Sequence, residues 1–335
     1  MKRTLGLTLL LFATLFSCMR QEKPLPAELS RAESVMWEHP DSALSILRSM
    51  PQSSLSSGKN YATWALLLAQ ARDKVYGKRL PDSLNIPSSD KLVQDAMDYF
   101  EKEGNLKRMA QTYYYKGQLL KDQKKITEAM PFFLKSKEMM TKLDEPLFTY
   151  LICQSLGNTY RYQDLYEESL VQLKDAYQYA LRSGNGERIS YALSELGRTY
   201  VHKNEMDSAL FYFGKSLDNA QRLGNIELEA MAMGELGVVY NKLSQGEKAL
   251  HYTRKELDLC LQISSLHKLP QVYYKIGSAF WSLGQLDSAK VYFQKSLETD
   301  NLYTLNEAYE VLYYICVEQK LYKEAIEYNN QYLIY

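Results

Sequence analysis

Five glycines, Gly117, Gly157, Gly197, Gly237 and Gly277, stand at equal intervals of 40 residues. Nothing else in the chain constrains its fold as strongly, because self-similarity at a period of about 20 to 50 residues marks stacked supersecondary units. Three residues after each glycine comes a large side chain: Leu120, Tyr160, Tyr200, Tyr240 and Phe280. Just before each stand Lys116, Leu156, Leu196, Leu236 and Ile276. Twelve residues after each glycine the chain is small, at Ala129, Ser169, Ala209, Ala249 and Ala289. Four residues further on it carries Phe133, Leu173, Phe213, Thr253 and Phe293. A catalytic motif needs to occur once. A motif rewritten as CQSLGNTY, LSELGRTY and MGELGVVY answers a packing problem that every unit meets.

Apolar residues three and four positions apart line one face of a helix. A glycine on that face admits a neighbouring helix, and the small residue on the next helix is the expected partner. Tyr200, as a joint of the stack, is expected to lose several kcal/mol of stability on truncation to alanine. Asp207 and Asp287 fall where the second helix of a unit begins, a favourable place for an acid in the helix dipole. Gly104-Asn105, Gly184-Asn185 and Gly224-Asn225 close the units and are expected as left-handed helix caps. Pro131 is expected near a helix start, where a missing N–H costs little. Each unit therefore reads as helix, short turn, helix, longer turn.

At these residues the chain resembles the tetratricopeptide repeat family. Its apolar residue, Leu-Gly, aromatic, then Ala and Phe are met by Leu193, Leu196, Gly197, Tyr200, Ala209 and Phe213. Tyr273, Ile276, Gly277, Phe280, Ala289 and Phe293 meet it again. The family unit is about 34 residues; the longer period here implies longer helices, and the usual late proline is absent. The resemblance implies an all-α fold, an α-solenoid wound as a right-handed superhelix of helical hairpins. Five repeats are expected over 106–305, with a degenerate cap over 306–335 in which Tyr313 replaces the glycine. Degenerate hairpins are expected over 27–105: a short hairpin at 27–50, then a helix at 59–77 paired with one at 89–104. KRLPDSLNIPSS is the longest irregular stretch.

The N-terminus reads MKRTLGLTLLLFATLFSC. The run from Leu5 to Phe16 is too short to span a bilayer as a helix, which needs about 20 residues. It has the pattern of a signal peptide, and Leu15-Phe16-Ser17-Cys18 resembles the lipobox of bacterial lipoproteins. The resemblance implies a signal peptide over 1–17, lipidation of Cys18 and a tether over 18–26. The protein is then expected to be exported and anchored by lipid to a bacterial membrane, at its periplasmic face or the cell surface.

Forty basic and forty acidic residues give zero net charge, which argues against a nucleic-acid partner, since that needs excess Lys and Arg. Cys153, Cys260 and Cys316 fall in apolar helical contexts and are expected as buried free thiols. No Cys or His stands at ligand spacing from another, so no metal is expected. His39, His202, His251 and His267 form no nucleophile–base arrangement, and the chain lacks a phosphate loop, HExxH and CxxC. Glu195 and Glu235, one repeat apart, read as solvated or groove-lining acids rather than a catalytic pair. The chain is expected to be no enzyme and to use no cofactor.

Function is then expected from the concave face of the stack. The family resemblance places ligand-facing positions on each first helix: Tyr114, Gln118 and Lys121; Gln154, Asn158 and Arg161; Tyr191, Glu195 and Arg198; Met231, Glu235 and Asn241; Tyr274, Ser278 and Trp281. Such a mixture suits an extended peptide or a partner helix. Some family members clamp a C-terminal carboxylate with lysines and asparagines. Here only Asn158 matches, with Arg161 and Arg198 nearby. Replacing both arginines by alanine is expected to weaken binding and leave thermal stability nearly unchanged. The expected role is a lipid-anchored scaffold for a protein or peptide. The alternatives are an extracytoplasmic sensor of a signalling system, working with a separate membrane partner, and a glycan-capture lipoprotein.

Overall fold

The computed structural model describes residues 24–76 and 89–334. Cys18, the expected signal peptide and all but the last residue of KRLPDSLNIPSS lie outside them. The described residues form sixteen α-helices and no strand, in two units that divide at Lys124 and Lys125. No described helix is long and apolar enough to cross a membrane.

The first unit holds α1 (Ala27–Val35), α2 (Pro40–Ser49), α3 (Gly58–Tyr76), α4 (Ser89–Glu103) and α5 (Leu106–Asp122). The hairpin expected over 27–50 is α1 with α2, and α2 opens on Pro40, where the ring replaces an N–H that no helix partner needs. The Trp64 indole N–H donates to the Leu47 carbonyl at 2.8 Å, tying α3 to α2. Tyr61 donates its hydroxyl to Asp95 at 2.8 Å, tying α3 to α4.

The second unit runs through α6 (Ile126–Thr141), α7 (Pro146–Arg161), α8 (Tyr166–Ser183), α9 (Gly186–His202), α10 (Met206–Leu223) and α11 (Ile226–Lys242). It continues with α12 (Gly246–Gln262), α13 (Leu269–Ser282), α14 (Leu286–Ser296), α15 (Leu302–Glu318) and α16 (Tyr322–Tyr332). From α7 onward each odd helix pairs with the next even one, and each hairpin packs on its neighbour, which makes this unit an α-solenoid. The first helices α7, α9, α11, α13 and α15 also touch in succession. The second helices stand further apart and meet through long side chains, as where Lys137 on α6 reaches Asp175 on α8 at 2.8 Å and Lys290 on α14 reaches Glu324 on α16 at 2.5 Å. The first helices therefore crowd the inner wall of the unit.

The repeat glycines are joints, as the spacing predicts, but their partner is not the small residue. A Cβ on Gly197 would stand 2.6 Å from the ring of Phe213, and one on Gly157 would stand 2.5 Å from Leu173. At Gly237 the neighbour is Thr253 at 2.5 Å, and at Gly277 it is Phe293 at 3.1 Å. The residue lodged on each of these four glycines is thus the one four positions beyond the small residue. The hairpin closes by seating a side chain in the gap that glycine leaves, and the small residue keeps the two backbones near enough for that.

Tyr200 also differs from expectation. It is half-buried, with its ring stacked on Tyr212 at 5.3 Å. Tyr240 on Tyr252 at 5.3 Å and Phe280 on Tyr292 at 5.4 Å repeat the arrangement one and two units later. These rings clasp the two helices of a hairpin at the edge of the core.

The turns follow a second rhythm. Gly104, Asp144, Gly184, Gly224 and Ser264 take positive φ where one hairpin passes to the next. Asp164, Asn204, Ser244, Gly284 and Lys320 do so inside the hairpins, and Lys124 does so in the turn that follows α5. The Gly-Asn pairs divide their labour: Gly184 is left-handed at φ 67°, while Asn185 is extended and caps α9 by accepting from the Arg188 N–H. Asn105, Asn225 and Asn301 cap α5, α11 and α15 in the same way. Pro131 is the sixth residue of α6, not an initial one, so its missing N–H leaves the Thr127 carbonyl without its usual helix donor.

Candidate binding groove

The candidate site lies on the first helices of the second unit. Arg161 on α7, Glu195 and Arg198 on α9, and Glu235 on α11 form a ladder of alternating charge. Arg161 Nη1 stands 2.8 Å from Glu195 Oε2, and Arg198 Nη1 stands 2.8 Å from Glu195 Oε1. Arg198 Nε then donates to Glu235 Oε1 at 2.7 Å. Glu195 is only 7% exposed, so it is neither solvated nor placed to share a proton with Glu235, because Arg198 stands between them. Burial works to lower the Arg198 pKa, but Glu235 and Glu195 together raise it. Burial, then the charge of Arg161, lowers the His202 pKa.

Beside the ladder opens a cavity of about 350 Å³ lined by α9, α11, α12, α13 and the single turn at Leu266–Lys268. Four of the residues anticipated from sequence line it: Tyr191, Arg198, Met231 and Glu235. Burial, then Glu227, raises the Tyr191 hydroxyl pKa. The cavity also takes Glu227, Leu228 and Ala230 from α11, Glu256 and Cys260 from α12, Lys268 from the turn, and Gln271 and Lys275 from α13. Of these only Cys260 was singled out from sequence, as a buried thiol and not as a site residue. Lys268 is held by Glu227 at 2.5 Å and Lys275 by Glu256 at 2.7 Å.

One of them carried a readable signal. Glu256 is in register with Ser136, Ala176, Ser216 and Ser296, all buried and all small. A carboxylate in that column breaks the pattern.

The remaining anticipated positions are dispersed. In the first unit, Gln118 Nε2 donates to the Tyr114 hydroxyl at 3.0 Å, and Lys121 donates to Gln118 Oε1 at 2.6 Å. Gln154 is half-buried on α7. Asn158 and Asn241 are half-buried, and each has a buried Oδ1 with no hydrogen-bond partner. Tyr274 meets Phe293 edge-on at 5.3 Å, and burial, then Glu307, raises its hydroxyl pKa. Ser278 donates to the Tyr274 carbonyl at 3.0 Å, and Trp281 is 39% exposed at the end of α13.

Cys153, Cys260 and Cys316 are free and buried, and burial pushes the Cys153 thiol up to about 12. Among the described residues no group of three or more His, Cys, Asp or Glu is placed to hold a metal.

The family model described as tetratricopeptide repeat matches residues 110–139 and 270–301. The chain carries tetratricopeptide repeats at these two segments. Between the two matched segments the joints at Gly157, Gly197 and Gly237 recur at 40-residue spacing. Similar folds occur in a signal transduction ATPase with numerous domains, "with a tetratricopeptide repeat sensor", from Pyrococcus horikoshii. The TM-score is 0.69 at 14% identity, covering 91% of this chain and 45% of that one. This chain thus spans under half the length of that protein. The apo form of RapI gives a TM-score of 0.68 at 13% identity, covering 91% of this chain and 95% of that one. A Rap protein complexed with Competence and Sporulation Factor gives 0.61 at 12% identity, with 91% and 95% covered. No curated protein matches the chain in sequence.

Proposed function

We propose that the tetratricopeptide repeats of the second unit bind a protein or peptide in the groove of their first helices, with no chemistry of their own. The observation that carries this reading is the cavity at Tyr191, Arg198, Met231 and Glu235. It puts an aromatic, a thioether and a fixed ion pair on one inner wall, the mixture that peptide grooves use. A peptide laid along α9, α11 and α13 meets Tyr191 and Met231 as adaptable apolar contacts and the ladder as a rigid polar edge.

We further propose that Cys18 is lipidated and holds this groove at a membrane surface after export. The lipobox-like LFSC supports that reading. A Cys18→Ala chain is then expected to leave the membrane fraction while keeping its helical signal.

A sensor reading of the same groove has one observation in its favour. One structural neighbour carries a tetratricopeptide repeat sensor, and another is complexed with Competence and Sporulation Factor. In this reading the bound peptide is the signal.

The test is affinity capture with the native chain and with a Met231→Ala/Trp281→Ala chain, against a Phe211→Ala/Val291→Ala control on the second helices. Loss of the captured partner in the first variant alone supports the groove. Loss in the control alone overturns it.

A further inference from the structure

We infer that the cavity around Glu256 is a subsite for a positively charged N–H donor, the ammonium of a lysine or the guanidinium of an arginine on the bound partner. The inference deepens the groove reading above and rests on it.

Glu256 stands in the place of a small residue. The four buried positions in register with it are serine or alanine. In the preceding hairpin that position is Ser216, whose hydroxyl lies 3.0 Å from Ser194. Forty residues on, the facing position is Gly234. A Cβ there would stand 2.4 Å from Glu256 Oε1, so the glycine makes room for the carboxyl against the backbone of α11. Two departures from the repeat, facing each other, build a place for one acid.

That acid is not needed to close the hairpin. Serine and alanine do so elsewhere in the same stack, and a buried carboxylate is costly unless it is paired. Its pairing is half complete. Oε1 accepts from Lys275 at 2.7 Å, while Oε2 is buried with no hydrogen-bond partner. Glu256 lines the cavity and is 6% exposed. Burial raises its pKa, with Lys275 opposing. An acceptor in this state is answered by an N–H donor, and a charged donor also relieves the desolvation that a neutral one leaves in place.

The other charges of the cavity do not supply that donor. Arg198 is occupied by Glu195 and Glu235, and Lys268 by Glu227. Tyr191 and Met231 offer the apolar wall along which the stem of a lysine or arginine would lie.

The test uses the full chain and blocked peptides acetyl-Ala-X-Ala-amide, with X lysine, arginine, norleucine or glutamate, together with free butylammonium. Binding is read by calorimetry and by the carboxyl chemical shift of Glu256. Lysine and arginine peptides are expected to bind at least about tenfold more tightly than norleucine and glutamate, the effect of one charged hydrogen bond. They are expected to lose that advantage in Glu256→Ser, which carries the residue three of the other hairpins use, and in Glu256→Gln. Binding of butylammonium alone, abolished by Glu256→Ser, supports the subsite and shifts the ligand to a free amine, against the peptide reading. Equal binding of the lysine peptide to native and Glu256→Ser chains overturns the subsite and leaves the groove intact. Equal binding of norleucine, or no binding of any probe, overturns it as well.

Discussion

Arg161 Nη1 stands 2.8 Å from Glu195 Oε2, and each side chain keeps only 10% of its surface exposed. This pair changes what the arginines are for. Losing Arg161 leaves one oxygen of a buried carboxylate without its cation, although Arg198 still holds the other. Arg161→Ala is therefore expected to destabilise the chain by about 3 kcal/mol, the low end for breaking a buried pair. The near-neutral effect expected from sequence does not survive this geometry. An Arg161→Met/Glu195→Gln chain is expected to lose less than Arg161→Ala, because no buried charge is then stranded. Urea unfolding of the three chains checks this. A loss under about 1 kcal/mol for Arg161→Ala would show that the pair is solvated.

The glycine joints make a paired prediction. Gly197→Ala drives a methyl into the fully buried Phe213 ring and is expected to cost about 1–3 kcal/mol. Gly214, inside α10, has nothing within 4 Å of an added Cβ. Gly214→Ala is expected to stabilise by up to about 1 kcal/mol through helix propensity alone. Thermal unfolding of the two variants, one substitution type with opposite signs, measures the joint directly.

Tyr200 and Phe213 separate the edge of the core from its centre. Phe213→Ala is expected to cost about 3–5 kcal/mol, as a fully buried ring. Tyr200→Ala, half-buried against Tyr212, is expected to cost about 1–3 kcal/mol. Chemical denaturation that ranks them the other way would contradict the assignment of Tyr200 to the edge.

Glu256 gives stability a pH dependence. Its folded pKa is raised above the ordinary 4.5 by burial, so the folded chain holds this proton to higher pH than the unfolded chain does. The contribution of Glu256 to stability is greatest below 4.5, falls as pH rises through the interval up to the raised value, and is constant above it. Glu256→Ser is expected to gain on the native chain across that interval and to keep the gain at neutral pH. Urea midpoints of both chains against pH test this. A difference that does not change with pH would mean the acid is not desolvated.

Much of the fold was legible because the joints are chemically unambiguous. Only glycine admits Phe213 or Leu173 at such range, so Gly157 and Gly197 announced the hairpins. The second left-handed series was illegible because Lys124, Asp164, Asn204 and Ser244 share a backbone conformation but no side-chain type. The asparagines looked like helix ends because they sit beside the left-handed glycines, yet their carbonyl oxygens serve the next helix. For the site, the family resemblance placed Tyr191, Arg198, Met231 and Glu235 on the first helices. It gave no sign of the charge ladder, which joins three helices through side chains whose mutual distance only the stack sets. Glu256 was legible in principle, as the one acid in a column of small residues.

The central claim is that the first helices form the binding wall and the second helices do not. A photo-cross-linkable residue placed in turn at Met231, Tyr191, Phe211 and Val291 tests it most directly. Phe211 and Val291 are 55% and 48% exposed on α10 and α14 and so offer a rival apolar surface. The account predicts one partner adduct from Met231 and Tyr191 and none from Phe211 and Val291. Adducts from Phe211 and Val291 alone would contradict it.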